Sequence, residues 1–311
     1  MKKALSIILT IVFVFVLSSC WLMEKTIVGS GEKVTYEYNV DEASELSIEH
    51  ISLEDRGNEI YSHLYIFDAE KAGEHRILIE GQQEIIDSIH VRCKDKKLSI
   101  TGNFYEKYET DLLAIKIYGF TFESISLENV RGSMVSKMAG KNITFNLTGL
   151  AYLSCPQFET EKLNVTLKDA SQLVLGSVKA TEALIKLTNS TSISATRLES
   201  KKCNISLENS SQVTSYFVSD TLTLELSGTS SGTVEGTANT AKIELSGTSK
   251  LNGLNLKGIY VDANIMGAST LSISAQLEIK AYINGDSSLT YKGNCKEKID
   301  ASGEAMVNHV E

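Results

Sequence analysis

The chain has 311 residues, of which 42% are hydrophobic and 22% are charged, and its formal net charge at pH 7 is −9. An acidic surface is repelled by nucleic-acid phosphates and by anionic lipid headgroups. Composition therefore argues against nucleic acid as a partner and against adhesion to membranes through surface charge.

The first nineteen residues, 1–19, have the order of a cleavable secretion signal. Two lysines are followed by fourteen uncharged residues (ALSIILTIVFVFVL), and the sequence LSSC closes the segment. The uncharged stretch is shorter than the roughly 20 residues that a membrane-spanning helix needs. The small residues before the cysteine suit lipoprotein processing. We expect a lipoprotein signal peptide with the lipid on Cys20; a plain secretory signal and a short membrane anchor are the alternatives.

Residues 20–30 form the expected lipidated tether. Without the leader the chain has 28 basic and 39 acidic residues, a net charge of −11, so membrane association should come from the lipid. A diacylglyceryl group with an amide-linked chain supplies the two or more signals that stable anchoring needs. We expect a location in the cell envelope, the outer membrane rather than the inner one, with the leaflet left open.

Residues 31–118 are β-rich without a regular period. Runs such as VTYEYNV, HRILIEG and KKLSITG alternate apolar and polar residues, which is typical of strands. The KDK sequence at Lys94 to Lys96 predicts a hairpin turn. We expect this segment to cap one end of the more regular C-terminal part, because a stack of strands must cover its terminal edges.

Residues 119–311 repeat with a period of about twenty. Phrases such as SLENS and ELSGT recur, and each holds an Asn, Asp or Gly, at positions 129, 149, 169, 189, 209, 228, 247, 267, 285 and 303. These residue types tolerate φ > 0 at least cost, so each marks a left-handed corner. Ser or Thr stands two residues after seven of these corners, where a hydroxyl can satisfy backbone groups.

Apolar residues fall two and four positions before each corner and four and six after it, which is the period of strands. A β-sandwich has no reason to repeat its corner residue at constant spacing. The sequence therefore predicts an all-β fold: a single-stranded parallel β-solenoid, right-handed and β-helix-like, of about ten coils with a β-rich N-terminal cap.

Four further cysteines, at positions 93, 155, 203 and 295, are widely spaced and include no CxxC pair. We interpret them as isolated small residues, although an exported chain permits disulfides. The five histidines have no metal-binding spacing such as HExxH. We expect no metal and no cofactor, and no residues in the sequence form a catalytic pattern.

The chain from about residue 27 to 311 resembles the auto-transporter adhesin head domain called the GIN domain, found in Bacteroidetes envelope proteins. The resemblance depends on VGSGEKVTYEYNV, on ILIEGQQEIIDSIHVRCKDKKLSITG and on the LSGTS-type repeats. It implies a β-helix-like rod and adhesion. The family brings no catalytic residues to transfer.

Three functions are compatible with these sequence features. The first is a non-catalytic adhesin or ligand-display module for a glycan or a protein, with its oligomeric state left open. The second is a polysaccharide-active β-helix enzyme, which would need clustered carboxylates, and the third is a purely structural envelope component. For the first we expect a flat outward face of amides and hydroxyls on one strand ladder, formed by Asn146, Asn164, Asn204, Thr144, Thr166 and Ser206.

The lipidation hypothesis makes a direct prediction. Cys20→Ala should leave the precursor unlipidated, because the thiol is the group that accepts the diacylglyceryl moiety. Metabolic labelling with a fatty-acid analogue measures it, and label retained on the Ala variant would contradict the assignment.

Overall fold

The computed structural model describes residues 25–311 except for 52, 55–62, 70–72, 104–105, 111 and 137. The leader and Cys20 lie outside the described residues. Within these residues, no helix has the length and apolar character needed to cross a membrane.

The N-terminal part is built from short strands and one short helix in the described residues. In chain order these are β1 (Lys25–Val28), β2 (Lys33–Asn39), β3 (Glu45–Glu49), β4 (Leu53–Glu54), β5 (His63–Phe67), β6 (Arg76–Gln82), α1 (Gln83–Ile86), β7 (His90–Lys94), β8 (Lys97–Thr101), β9 (Glu106–Glu109) and β10 (Leu113–Tyr118).

The remaining strands build a solenoid. They are β11 (Ser124–Glu128), β12 (Arg131–Met134), β13 (Asn142–Thr148), β14 (Tyr152–Cys155), β15 (Phe158–Leu167), β16 (Gln172–Leu187), β17 (Ser192–Leu207), β18 (Gln212–Leu226), β19 (Ser231–Leu245), β20 (Lys250–Ile265), β21 (Thr270–Asn284), β22 (Ser288–Lys292), β23 (Lys296–Ser302) and β24 (Met306–Val310). Strands β16 to β21 each run along most of one coil.

Each solenoid strand pairs in parallel with its equivalent one coil later, which confirms the predicted parallel β-solenoid. Alternate side chains point into the rod, as in β16, where Leu173, Leu175, Ile185 and Leu187 are buried. The fold has about nine turns where the sequence suggested about ten coils, because ten corner residues bound nine intervals. At about 4.8 Å a turn, the stack is about 43 Å long. The hand of the coil stays a prediction.

The predicted corners are confirmed at every position. All ten marker residues have φ between 57° and 82°. At five of the corners the following residue donates its N–H to the carbonyl of the corner residue one coil earlier, for example Ser190 N to Asp169 O at 2.8 Å and Ala268 N to Gly247 O at 2.8 Å. The left-handed corners are thus hydrogen-bonded to one another between successive coils.

The predicted hydroxyl ladder is also present. Its seven members, Ser171, Thr191, Ser211, Ser230, Ser249, Ser269 and Ser287, are fully buried. Ser211 Oγ donates to Glu208 O at 2.7 Å and Ser287 Oγ donates to Asn284 O at 2.9 Å. Six of the seven hydroxyls donate to carbonyls at the tight corner, and Thr191 Oγ1 donates to Ser211 Oγ at 3.2 Å, so the buried hydroxyls are paired.

Coils of different length share the same corner register. The register between coils shifts between Ala195 and Leu198 where a twenty-residue coil meets one of nineteen, and between Thr233 and Glu235 where the length returns to twenty. Both shifts lie in the short middle segment of the coil. Insertions and deletions are therefore absorbed there, and the corners stay aligned.

The N-terminal part covers the first coil by supplying strands of its own. Strand β3 pairs in parallel with β11, and β5 pairs in parallel with β12. His50, at φ 58°, follows β3 and adds a left-handed corner beneath Asn129 that the sequence did not predict. The predicted hairpin is confirmed, with β7 and β8 antiparallel and Asp95 and Lys96 at positive φ.

The corner geometry predicts that two substitutions at one site lower the free energy of unfolding by different amounts. Asn189→Val should lower the free energy of unfolding by about 1–2 kcal/mol, because a β-branched residue is strained at φ 69°. Asn189→Gly fits this φ and loses only exposed amide hydrogen bonds to Asp169 and Asn209. Urea unfolding of both variants measures the difference, and equal stability would contradict the corner argument.

The alternation of β16 predicts a second contrast, between neighbouring residues. Leu187 is fully buried and Lys186 is exposed. Leu187→Asp should cost at least about 3 kcal/mol, because it buries an unpaired carboxylate, whereas Lys186→Asp should change stability by less than about 0.5 kcal/mol. Thermal unfolding followed by circular dichroism measures both, and similar losses for the two would refute the assigned facing.

Candidate functional site

The six candidate binding residues lie together on one surface. We call it the third face because it is formed by the last of the three segments of each coil, just before the corner. It has two columns along the rod, Thr144, Asn164, Leu184 and Asn204 in one and Asn146, Thr166, Lys186 and Ser206 in the other. Parallel pairing places these residues side by side. All six are accessible to solvent, and their role in binding stays a prediction.

The amides of the third face are open to a ligand. Asn146 Nδ2 donates to Ser126 Oγ at 3.4 Å, while the side chains of Asn164 and Asn204 make no hydrogen bond within the described part of the chain. Beside Asn204 lies a depression of about 440 Å³, lined among others by Leu184, Lys186, Ser206 and Glu225.

The third face becomes charged along the rod. The column of Asn204 continues to Lys242, Asp262 and Lys280, and the column of Ser206 continues to Glu225 and Glu244. The array of amides and hydroxyls with few charges that the sequence suggested, which includes Lys186, is therefore limited to the first coils.

A second depression, of about 470 Å³, lies along the middle segments of successive coils. Two of its three carboxylates have neighbours of their own: Glu199 lies 3.4 Å from Arg197, and Asp220 accepts a hydrogen bond from Asn239 Nδ2 at 3.0 Å. Lys179 and Lys201 line the same depression without a carboxylate within 4.0 Å among the described residues. The arrangement is that of a charged, solvated groove.

The reactive side chains of the described residues do not cluster. No group of three or more His, Cys, Asp or Glu residues could hold a metal ion in the ranges that the structure covers. The thiols of Cys93, Cys155, Cys203 and Cys295 are unpaired. Burial raises the pKa of Cys155 and Cys203 to about 12, so neither is a nucleophile near neutral pH.

A surface that sequence reasoning missed follows each corner, and we call it the first face. It has two columns: Tyr152, Gln172, Ser192, Gln212, Ser231, Lys250, Thr270 and Ser288, and beside them Ser154, Val174, Ser194, Thr214, Thr233, Asn252, Ser272 and Thr290. None of these residues is buried. Hydroxyls at the third and fifth positions after the corner, as in Ser231 and Thr233, are the sequence signal that could have found it.

Aromatic rings gather at the N-terminal end of the first face. Strand β5 lies beside β12, so His63 and Tyr65 extend the two columns. The rings of His63 and Tyr65 stack with centroids 6.3 Å apart, and the Arg131 guanidinium lies 5.1 Å from the centre of the Tyr152 ring. These residues, with Gly132, line a hollow of about 190 Å³. No sequence signal could have found it, because β5 lies outside the repeats.

The chain is similar to several solved structures, whereas no curated protein matches it. Two structures named as putative adhesins, from Parabacteroides merdae and Parabacteroides distasonis, are 13% and 11% identical to the chain, with TM-scores of 0.49 and 0.48. A structure from Parabacteroides distasonis named as a putative lipid binding protein is 16% identical, with a TM-score of 0.48. Each alignment covers 92% of this chain and 100% of the other.

One family profile matches residues 67–231 and 185–295, which together are most of the chain. The two matched ranges overlap within the repeats, as expected when a repetitive domain can be aligned in more than one register. This agrees with the resemblance seen in the sequence. The chain belongs to the family described as "Putative auto-transporter adhesin, head GIN domain".

Proposed function

We propose that the chain is a non-catalytic lipoprotein of the cell envelope, anchored through Cys20, whose solenoid binds a glycan or protein ligand at the outer membrane. The observation that carries the proposal is the third face. There, parallel pairing sets amides and hydroxyls in straight columns, with Asn164 next to Thr144 of the preceding coil and Asn204 two coils further along, beyond Leu184.

Such a face is rigid before a ligand arrives. The backbone of each coil is held by hydrogen bonds to the coils on both sides, as for β16 between β15 and β17. A preorganised surface loses little conformational entropy on binding, so many weak hydrogen bonds can add up to useful affinity. The family description, an adhesin head, agrees with attachment as the role.

The anchor completes the proposal. A lipid on Cys20 would fix the chain to a membrane, and the folded N-terminal part would begin a few residues later at β1, within the expected tether of residues 20–30. The acidic surface would be repelled by anionic headgroups, which favours a rod that projects from the membrane and leaves its faces accessible.

The third face can be tested by replacing its three asparagines together. The triple variant Asn146→Ala, Asn164→Ala, Asn204→Ala should weaken binding at least about tenfold, because each lost hydrogen bond contributes about 0.5–1.5 kcal/mol. Binding of the full chain to arrays of oligosaccharides and host-surface proteins measures it. A matched control replaces Gln157, Asn239 and Asn255, exposed amides of the middle segments, with Ala.

Circular dichroism and melting temperature should not change in either variant, because all six positions are solvent-accessible. Unaltered binding to every array ligand by a folded third-face variant would exclude this face. Attention would then turn to the acidic N-terminal part.

A further inference from the structure

We propose that the first face is a separate binding surface for a neutral linear glycan, which lies along the rod with one end at the aromatic hollow of His63, Tyr65 and Tyr152. The inference goes beyond the proposed function, and it does not depend on the third face.

The side chains of the first face are almost all neutral and polar. Among its sixteen positions from Tyr152 to Thr290, Lys250 is the one charged residue and Val174 the one aliphatic residue. The rest carry hydroxyl or amide groups. The side chains of Ser194, Thr214 and Thr233 make no hydrogen bond to other described residues, so they can exchange water for a ligand.

The first face has few charged residues, whereas the third face has many. The chain is 22% charged, and the third-face columns reach Glu225, Lys242, Glu244 and Asp262 over the same coils. Depletion of charge is typical of surfaces that become buried against a partner. Along the strip a charged ligand would meet Lys250 alone, and at the hollow it would meet Arg131, whose guanidinium lies over the Tyr152 ring; this sparse charge points to a neutral ligand.

The shape of the first face favours an extended ligand. The columns are about 7 Å apart, two residues along a strand, and the sixteen positions span about 34 Å at about 4.8 Å a coil. A strip this narrow offers far less than the roughly 800 Å² per partner of a stable protein interface. It suits an extended chain that meets one pair of polar groups on every coil.

A peptide does not meet these conditions. The backbone N–H and C=O groups of the first-face strands are already paired with neighbouring coils, as for Ser194 between Val174 and Thr214. A peptide therefore cannot add as a further strand. A glycan needs no free strand edge, because its own hydroxyls donate and accept hydrogen bonds with side chains.

The aromatic hollow offers a site for one end of the glycan. This hollow of about 190 Å³ is the one place on the first face where rings are concentrated, within the described residues. Tyr65 also stacks on Phe67 with centroids 6.0 Å apart, which holds its ring in place. Apolar ring faces beside polar groups are typical of small-ligand sites. A terminal sugar ring here would fix the position of the glycan chain.

The experiment measures binding of the full chain, purified in detergent, to an array of neutral linear glucan, xylan, mannan and chitin oligosaccharides, with oligogalacturonates as the acidic comparison. Neutral oligosaccharides should bind, and affinity should rise with chain length until the strip is filled. Absence of binding to every neutral oligosaccharide, or preference for the acidic ones, would overturn the proposal.

Paired variants locate the site. Ser194→Glu with Thr233→Glu places two carboxylates in the middle of the strip and should weaken binding at least tenfold. Thr181→Glu with Thr237→Glu makes the same charge change in the groove of the middle segments and should leave binding unchanged. Equal effects of the two pairs, or no effect of the first pair in a folded protein, would overturn the assignment.

The aromatic end has its own variant. Tyr152→Leu keeps apolar bulk and removes the ring, so it should weaken binding several-fold while the melting temperature stays constant. Binding unaffected by Tyr152→Leu would remove the aromatic end from the proposal. The triple asparagine variant of the third face should still bind those neutral oligosaccharides that the Ser194→Glu with Thr233→Glu variant loses, so failure of one surface is distinguishable from failure of the other.

Discussion

The whole structure depends on hydrogen bonds between the corners of successive coils. At five of the corners the N–H after the left-handed residue bonds the corner carbonyl one coil earlier, as Thr248 does with Gly228 at 2.8 Å, and Leu150 N bonds the Asn129 side chain at 3.0 Å instead. All ten repeat corners have φ > 0 and are occupied by Asn, Asp or Gly, which tolerate that conformation at least cost, and His50 adopts it beneath Asn129. Differences in coil length are pushed into the middle segment, where the register shifts near Leu198 and Glu235.

A fixed corner register turns sequence positions into straight columns on the surface. Residues at the same distance from the corner align along the rod, so one substitution per coil sets the chemistry of an entire face. In its first coils the third face has mainly amides and hydroxyls, such as Asn164 and Asn204. Further along the rod it becomes more charged, from Glu225 and Lys242 onward. The first face stays nearly uncharged throughout. One rod thereby presents surfaces suited to different partners.

The N-terminal part is continuous with the solenoid in its hydrogen bonding. Strands β3 and β5 occupy coil positions, and β8 and β10 lie outside them. These pairings cover edges that would otherwise invite aggregation. They also bring His63 and Tyr65 to Arg131 and Tyr152, residues far apart in the chain, and so create the aromatic hollow.

The sequence by itself determined the all-β class, the parallel stacking, the ten corners and the buried hydroxyl ladder, because all of these repeat with the coil. It also placed Asn146, Asn164 and Asn204 on one outward ladder. Only the tertiary structure decided that His50 forms a corner and that β5 lies beside β12. Those contacts join segments without a shared period, and their pairing depends on long-range packing that no local pattern encodes.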